Sequence, residues 1–231
     1  MISVICCTMR DDFIENVFQN YEGQNYKKKE LIIILNKDDM DIDKWKKRAQ
    51  PSRDISVYRL PEKTSLGECL NIGVEYCKYD IISKFDDDDY YSSRYLSDQL
   101  KTMKKMNADV VCKRTVYMYF EKKNYLAIHL PHMEKNAFIN KAVKIKGATL
   151  MIKKGVFNEI NFSQVNRGED TQFLRKCLKK NISIYVTDER NYVCLRRYEG
   201  HHTWNINNRK LLKESKILCT TENFKKIVEG N

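Results

Sequence analysis

The sequence predicts an α/β protein built on a doubly wound, Rossmann-like sheet with helices on both faces. Three observations predict it. The strand candidates ISVICC (2–7), LIIIL (31–35) and DIISKF (80–85) are largely unbroken apolar runs, as strands covered on both faces require. Between them, apolar residues recur at helical spacing. The two kinds of segment alternate along the first half of the chain, the pattern of parallel strands joined by crossover helices.

The elements follow in order. After the strand at 2–7, Ile14, Val17, Phe18 and Tyr21 form one helical face. Asp11 and Asp12 precede it, and acidic residues suit a helix start. The second strand is 31–35, and the third, ISVYRL (55–60), is ended by Pro61. Leu66, Leu70, Gly73, Val74 and Cys77 form the next helical stripe; Ser65 or Thr64 can cap it, with Glu68 placed for a capping box. The fourth strand is 80–85. Leu96, Leu100 and Met103 mark another helix, and DVVCK (109–113) another strand. Then the pattern changes. TVYMYF and NYLAIHL flank EKKN, a hairpin signal. Residues 131–146 have no clear period and read as a mobile, lysine-rich loop. GATLMI (147–152) is a short strand. The helix opened by GEDTQFLRKCLKKN has Glu169 and Asp170 in its first turn and Phe173, Leu174, Cys177 and Leu178 on its buried face. ISIYVT and YVCLRR are late strands, and the tail from about 206 is polar and helical in character.

Composition bounds the function. A chain of 231 residues suits one domain with an appendage. No apolar run approaches the ~18 residues of a membrane span. The start, MISVICCTMRDD, reads as a strand and not as a secretory leader, so a cytoplasmic protein is expected. Eight cysteines form no C-x-x-C and no paired zinc spacing; most lie in apolar segments, where a thiol acts as a small hydrophobe. The net charge of +11 favours anionic partners: nucleotide phosphates, a phosphorylated acceptor, nucleic acid or an anionic membrane surface. A lysine-rich solvated exterior explains it equally well.

Against that basic background stands an acidic block, Asp86, Asp87, Asp88 and Asp89, directly after an apolar run. Four adjacent carboxylates repel one another unless a cation relieves them. A hard divalent ion with oxygen ligands, Mg²⁺ or Mn²⁺, is the natural candidate, and such an ion usually also holds phosphate. Ligands of open α/β sheets lie outside the carboxyl ends of strands, where this block is predicted.

Five passages in order resemble the family 2 glycosyltransferases of GT-A fold: ISVICCTMR, GQNYKKKELIIILNKDD, SLGECLNIGVEYCKYDIISKFDDDDYY, NRGEDTQFLRKC and RRYEGHHTW. The resemblance covers about residues 1–205. It implies a mixed sheet, a nucleotide-binding half (about 1–113), an acceptor-binding half (about 114–205) and a helical extension (206–231). It further implies sugar transfer from a nucleotide diphosphate, UDP first, to an acceptor hydroxyl with inversion at C1. Asp88 becomes the direct metal ligand, and Asp86 touches metal or ribose. Asp87 would contact the donor, and one of Asp87 and Asp89 is expected to cap the next turn, since Asp is a preferred cap residue. Asp170 becomes the general base, with Glu169 as its alternative. Thr8, Arg10, Asn71 and Lys84 would contact the donor, and Asn36 and Asp38 the base. The family often has an Asp-Asp or Asp-Gly pair where this chain has Leu35-Asn36-Lys37-Asp38, so the base is open. His201 and His202, beside Arg196, Arg197 and Trp204, would lie in a lid hinged at Gly200 and supply a third metal ligand, His202 first, or a diphosphate contact. Small relatives linked to cell-wall or spore-surface glycans suggest a glycan, lipid-linked or protein acceptor, and a cytoplasmic site peripheral to a membrane or spore surface.

Rival readings are weighed by what is missing. A metal-dependent nucleotidyltransferase usually needs a glycine-rich loop near the first strand, and CTMRDD has none. No P-loop is present, which disfavours an ATPase. A catalytically degenerate binding module would not need both the aspartate block and the Glu-Asp pair. The block and the lack of a recognisable motif argue against nucleic acid.

Overall fold

The computed structural model describes residues 1–197 and 206–229. The strands are β1 (Ile2–Thr8), β2 (Lys29–Leu35), β3 (Ile55–Arg59), β4 (Ile81–Phe85), β5 (Tyr90–Tyr91), β6 (Val110–Lys113), β7 (Val116–Phe120), β8 (Tyr125–His129), β9 (Ala137–Phe138), β10 (Lys146–Lys153), β11 (Ile184–Thr187), β12 (Tyr192–Arg196) and β13 (Ser215–Thr220). The helices are α1 (Ile14–Glu22), α2 (Ile42–Ala49), α3 (Leu66–Tyr76), α4 (Tyr95–Met106), α5 (Glu169–Lys179), α6 (Asn208–Lys213) and α7 (Lys225–Val228).

The main sheet has eight strands in the order β3-β2-β1-β4-β10-β6-β11-β9. From β3 to β4 all neighbours are parallel. β10 then runs antiparallel to both β4 and β6, so the sheet is mixed. This corrects the purely parallel reading of the residue pattern and agrees with the mixed sheet that the resemblance implied. Periodicity reports burial, not direction: β10 is covered on both faces like its parallel neighbours.

Successive residues of each strand serve opposite faces. Val4, Cys6, Leu31, Ile33 and Leu35 pack on one side with α1 (Val17, Phe18), α2 (Trp45) and α4 (Leu96, Leu100). Ile5, Ile32 and Ile34 pack on the other with α3 (Leu70, Val74) and α5 (Phe173, Leu174). Helix α3 starts where expected: the Ser65 hydroxyl accepts from Glu68 N at 3.3 Å. Helix α2 escapes the pattern because only Ile42, Trp45 and Ala49 carry its apolar face. Asp41 caps it, and the fully buried Trp45 donates its indole N–H to Asp11 at 2.5 Å.

The second sheet runs β13-β8-β7-β12-β5, with the expected hairpin in register Phe120↔Tyr125. The tail is not helical throughout. Between α6 and α7 it adds β13 antiparallel to β8, as an edge strand. Residues 131–145 are irregular except for the short β9. All eight cysteines are free. Among the described residues no helix is long and apolar enough to cross a membrane.

Candidate active site

The chain passes β1, β2 and β3 outward, then returns to place β4 on the other side of β1. Strand order therefore reverses between β1 and β4, and a crevice opens outside their carboxyl ends. Thr8 and Arg10 end β1 there, and the four aspartates leave β4 there.

The four carboxylates are not equivalent. Asp87 is buried. It accepts from the Thr8 hydroxyl at 2.5 Å and from Arg10 Nε at 3.1 Å, with a second, short contact to Arg10 Nη2. Burial first, and then the Asp88 charge, push its carboxyl up to about 6 in spite of Arg10 and Thr8. Asp89 is also buried and reaches across to the second sheet, accepting from the Tyr192 hydroxyl and from Leu195 N at 3.1 Å. Burial, Asp88 and Asp86 push it well above the usual carboxylate range. Neither side chain caps the following turn, which corrects that expectation: the partners lie on β1 and β12. Asn16 and Asn20 of α1 instead hold the turn through the Asp87 and Asp89 carbonyls. Asp86 and Asp88 remain half-buried at the crevice.

Oxygens of Asp86, Asp88 and Asp89 all lie within 4.8 Å of one another. An all-oxygen, anionic donor set of this kind fits a hard divalent cation. Asp89 was not among the expected ligands. Four identical neighbours give sequence reasoning nothing to order them by. Nor does the cluster stand unrelieved: Arg10 lies 3.1 Å from Asp88, and Lys84 Nζ lies 2.9 Å from Asp86. Arg197 donates to the Asp88 carbonyl and, like Arg10, covers the Phe13 ring.

Lys84, expected to contact the donor, lies inside the crevice and not on an exposed face. It is 8% exposed, with Asp86 on one side and Glu169 at 3.9 Å on the other. Burial alone would lower its pKa, but Asp86, Glu169 and Asp170 outweigh burial and raise it. The ammonium thus joins the β4 carboxylates to the acidic start of α5.

Gly168 opens that helix at φ +77°, a left-handed conformation that favours glycine. Glu169 is buried against Lys84, and burial raises its carboxyl above the usual range. Asp170 is half-buried. Its Oδ1 accepts from Thr171 N at 2.5 Å and Thr171 Oγ1 at 3.2 Å, while Oδ2 lies against Gly147, where no side chain intervenes.

Other expected contacts fall elsewhere. Asn71 uses its amide on the Phe162 backbone, donating at 3.0 Å and accepting at 2.9 Å, so it ties α3 to the segment before α5. Asn36 donates to Pro61 O and Asp38 accepts from Glu62 N, at 2.9 and 3.0 Å, holding the 61–62 turn. A cleft of about 310 Å³ beside Arg10 is instead lined by their neighbours Lys37 and Asp39, with Met9, Asp11 and Met40. In this structure these three side chains serve as structural ties. His201, His202, Gly200 and Trp204 lie outside the described residues.

Comparison with known proteins agrees with this fold. A TarS structure from S. aureus in complex with UDP-GlcNAc superposes with a TM-score of 0.61 at 14% identity, covering 87% of this chain and 60% of that one. The mannosyltransferase PcManGT from Pyrobaculum calidifontis, in complex with GDP-Man and Mn²⁺, gives 0.65 at 15% identity, covering 92% of this chain and 62% of that one. A nucleotidyl transferase from Methanothermobacter gives 0.55 at 16% identity, covering 82% and 87%. At such identities the likeness is one of fold. This chain spans 60% of the TarS 1–349 chain and 36% of a longer TarS chain. No curated protein matches the sequence. The glycosyl transferase family 2 profile, however, matches residues 3–160, more than half of the chain. The chain belongs to glycosyl transferase family 2.

Proposed function

We propose that this protein transfers a sugar from a nucleotide diphosphate sugar, with UDP as first choice, to an acceptor hydroxyl. One arrangement carries the reading. The Asp86–Asp88–Asp89 cluster at the end of β4 is joined through buried Lys84 to a Glu-Asp pair at the start of α5. A donor site and a proton acceptor thus share one crevice.

Asp88 and Asp86, with Asp89 behind them, would hold Mn²⁺ or Mg²⁺, which supplies neutralisation of the charge that develops on the leaving diphosphate. Arg10 lies beside this cluster and adds fixed positive charge at the same end. The acceptor oxygen attacks C1, the C1–O bond to the diphosphate breaks, and the electron pair leaves on the phosphate oxygen. The hydroxyl proton passes to Asp170. Of the two acids Asp170 suits this role, because Glu169 is buried and faces Lys84 whereas Asp170 Oδ2 lies against Gly147. The cleft lined by Lys37 and Asp39 is the place for the base. The ligands held by the TarS and PcManGT structures support a nucleotide-sugar donor, and the latter's Mn²⁺ supports the metal.

Calorimetry tests the reading. UDP is expected to bind more tightly with Mn²⁺ than with chelator, and Asp88→Asn to abolish that difference. Asp170→Asn should lower turnover of the sugar nucleotide by roughly 10²–10⁴-fold with donor affinity retained, the usual scale of positioned acid–base catalysis. Glu169→Gln is the control with the smaller loss. Equal UDP affinity with and without chelator overturns the metal site. Binding without any turnover would favour a binding module, and turnover of a nucleoside triphosphate in its place a nucleotidyltransferase.

A further inference from the structure

The crevice occupies one edge of the main sheet, and the opposite edge has a different electrical character. Each crossover returns the chain to the amino end of the next parallel strand. Exposed basic residues gather at those returns. Lys27 and Lys28 precede β2, Arg53 precedes β3, Lys104 and Lys105 end α4 before β6, and Lys179 ends α5 before β11. All six are exposed. None forms an ion pair among the described residues. The registers align these strand starts: Ile2 pairs with Lys29 and Ile81, Leu31 with Ile55, and Val110 with Ile184. Because β10 is antiparallel, its end at Lys153 reaches the same edge, beside Ile81.

Acidic residues do not cancel this row. Glu30, Asp109 and Glu159 are taken up by Lys78, Lys153 and Lys180. Asp54, Glu75 and Asp80 remain exposed without an ion pair, three acids against six bases. At the crevice edge the acids Asp86 to Asp89, Glu169 and Asp170 gather in one place, with Arg10 and Lys84 paired among them.

The basic row runs from β3 to β11, across seven strands of the sheet. At about 4.8 Å per strand that is roughly 30 Å. Helices on both faces contribute to it. A row this wide fits an extended anionic surface and not a single phosphate. We propose that this edge docks the protein on a bilayer rich in anionic headgroups. The crevice then faces away from the bilayer. The seven residues of β1 separate the two edges by roughly 23 Å at about 3.3 Å per residue.

The test is cosedimentation with vesicles of phosphatidylglycerol and phosphatidylcholine, against pure phosphatidylcholine. Basic residues near an anionic surface each add to binding and are screened by salt. Binding is expected only to the anionic vesicles, and is expected to be lost in 0.5 M salt, about the regime in which the Debye length falls below ~5 Å. A variant with Lys27, Lys28, Lys104 and Lys105 all changed to Ala should bind on the order of a thousandfold more weakly. A variant with Lys63, Lys122, Lys123 and Lys216 changed to Ala has the same net charge and should bind like the parent. Thermal melts establish that both variants fold. Equal loss in the two variants, or no binding by the parent, overturns the proposal. So does duplex RNA that displaces the protein from vesicles and depends on the same four lysines, since the edge would then serve nucleic acid.

Discussion

Gly147→Ala moves the proposed base without changing its chemistry, and it separates position from presence. An alanine Cβ at 147 would overlap Asp170 Oδ2 and stand 2.8 Å from its Cγ and 3.0 Å from its Cβ. Ordinary carbon contact is about 3.5–4.0 Å, so the carboxylate must retreat by roughly 1 Å. Its Oδ1 is held by Thr171, so the retreat turns the group about that anchor and carries Oδ2 away from the acceptor. A misplacement of that size costs about 10²-fold in rate. Gly147 is not among the positive-φ residues, so alanine strains no backbone there. Overpacking against a movable side chain falls at the low end of the usual range, about 1 kcal/mol. The assay is hydrolysis of a UDP-sugar with water as acceptor, with a thermal melt and UDP–Mn²⁺ calorimetry on the same sample. Turnover about a hundredfold lower, with donor affinity and melting temperature nearly unchanged, is the expected result. Parental turnover in a folded Gly147→Ala protein would refute Asp170 Oδ2 as the proton acceptor.

Three further outcomes follow from the same geometry. Lys84→Met leaves Asp86 and Glu169 without their shared cation and should destabilise by about 3–5 kcal/mol in urea melts, with Glu169→Gln in the same chain restoring part of the loss. Gly67→Ala sets a Cβ into the Ser163 carbonyl, with its carbon at 2.9 Å; because backbone must move, it should cost about 1–3 kcal/mol and show in the same melts. His129 is lowered from 6.5 to about 4 by burial first and then by Lys146, so the unfolded chain binds the extra proton between those values. Stability should therefore be full above pH 6.5 and fall by up to about 3 kcal/mol as pH drops to 4, a slope that His129→Gln should remove in melts at pH 4.5 and 7.

What could be read from the sequence divides along physical lines. β1 to β4 and α3 were legible because each is a run or stripe that only burial explains, and Ser65 marks the helix start by its own chemistry. α2 was not, since Trp45 supplies most of its anchor and one large residue makes no period. β13 was missed for a different reason: SKILCT at the sheet edge leaves Ile217 and Leu218 exposed, and an edge strand lacks the inside-outside contrast that a pattern needs. In the crevice, residue types were legible and pairings were not. Asn36 and Asp38 stood at the right strand end, but only coordinates show that they hold the 61–62 turn while Lys37 and Asp39 line the cleft.

The aspartate block shows why a sound motif can rest on an incomplete reason. Self-repulsion suggested that four carboxylates need an external cation. The fold answers much of that demand internally. Arg10 faces Asp87 and Asp88, Lys84 faces Asp86, and Asp89 is held by Tyr192 and Leu195 N. The two buried members are thus tied to β1 and β12 before any ligand arrives, and they fix the turn that presents the two half-buried ones. Charge balance within the protein therefore argues for a preformed crevice. The case for a divalent ion comes instead from the convergence of Asp86, Asp88 and Asp89 oxygens within 4.8 Å. The hydrogen bonds that position Asp89 come from β12 and not from the other two. Arg10 and Lys84 stand beside its outer members, Asp88 and Asp86.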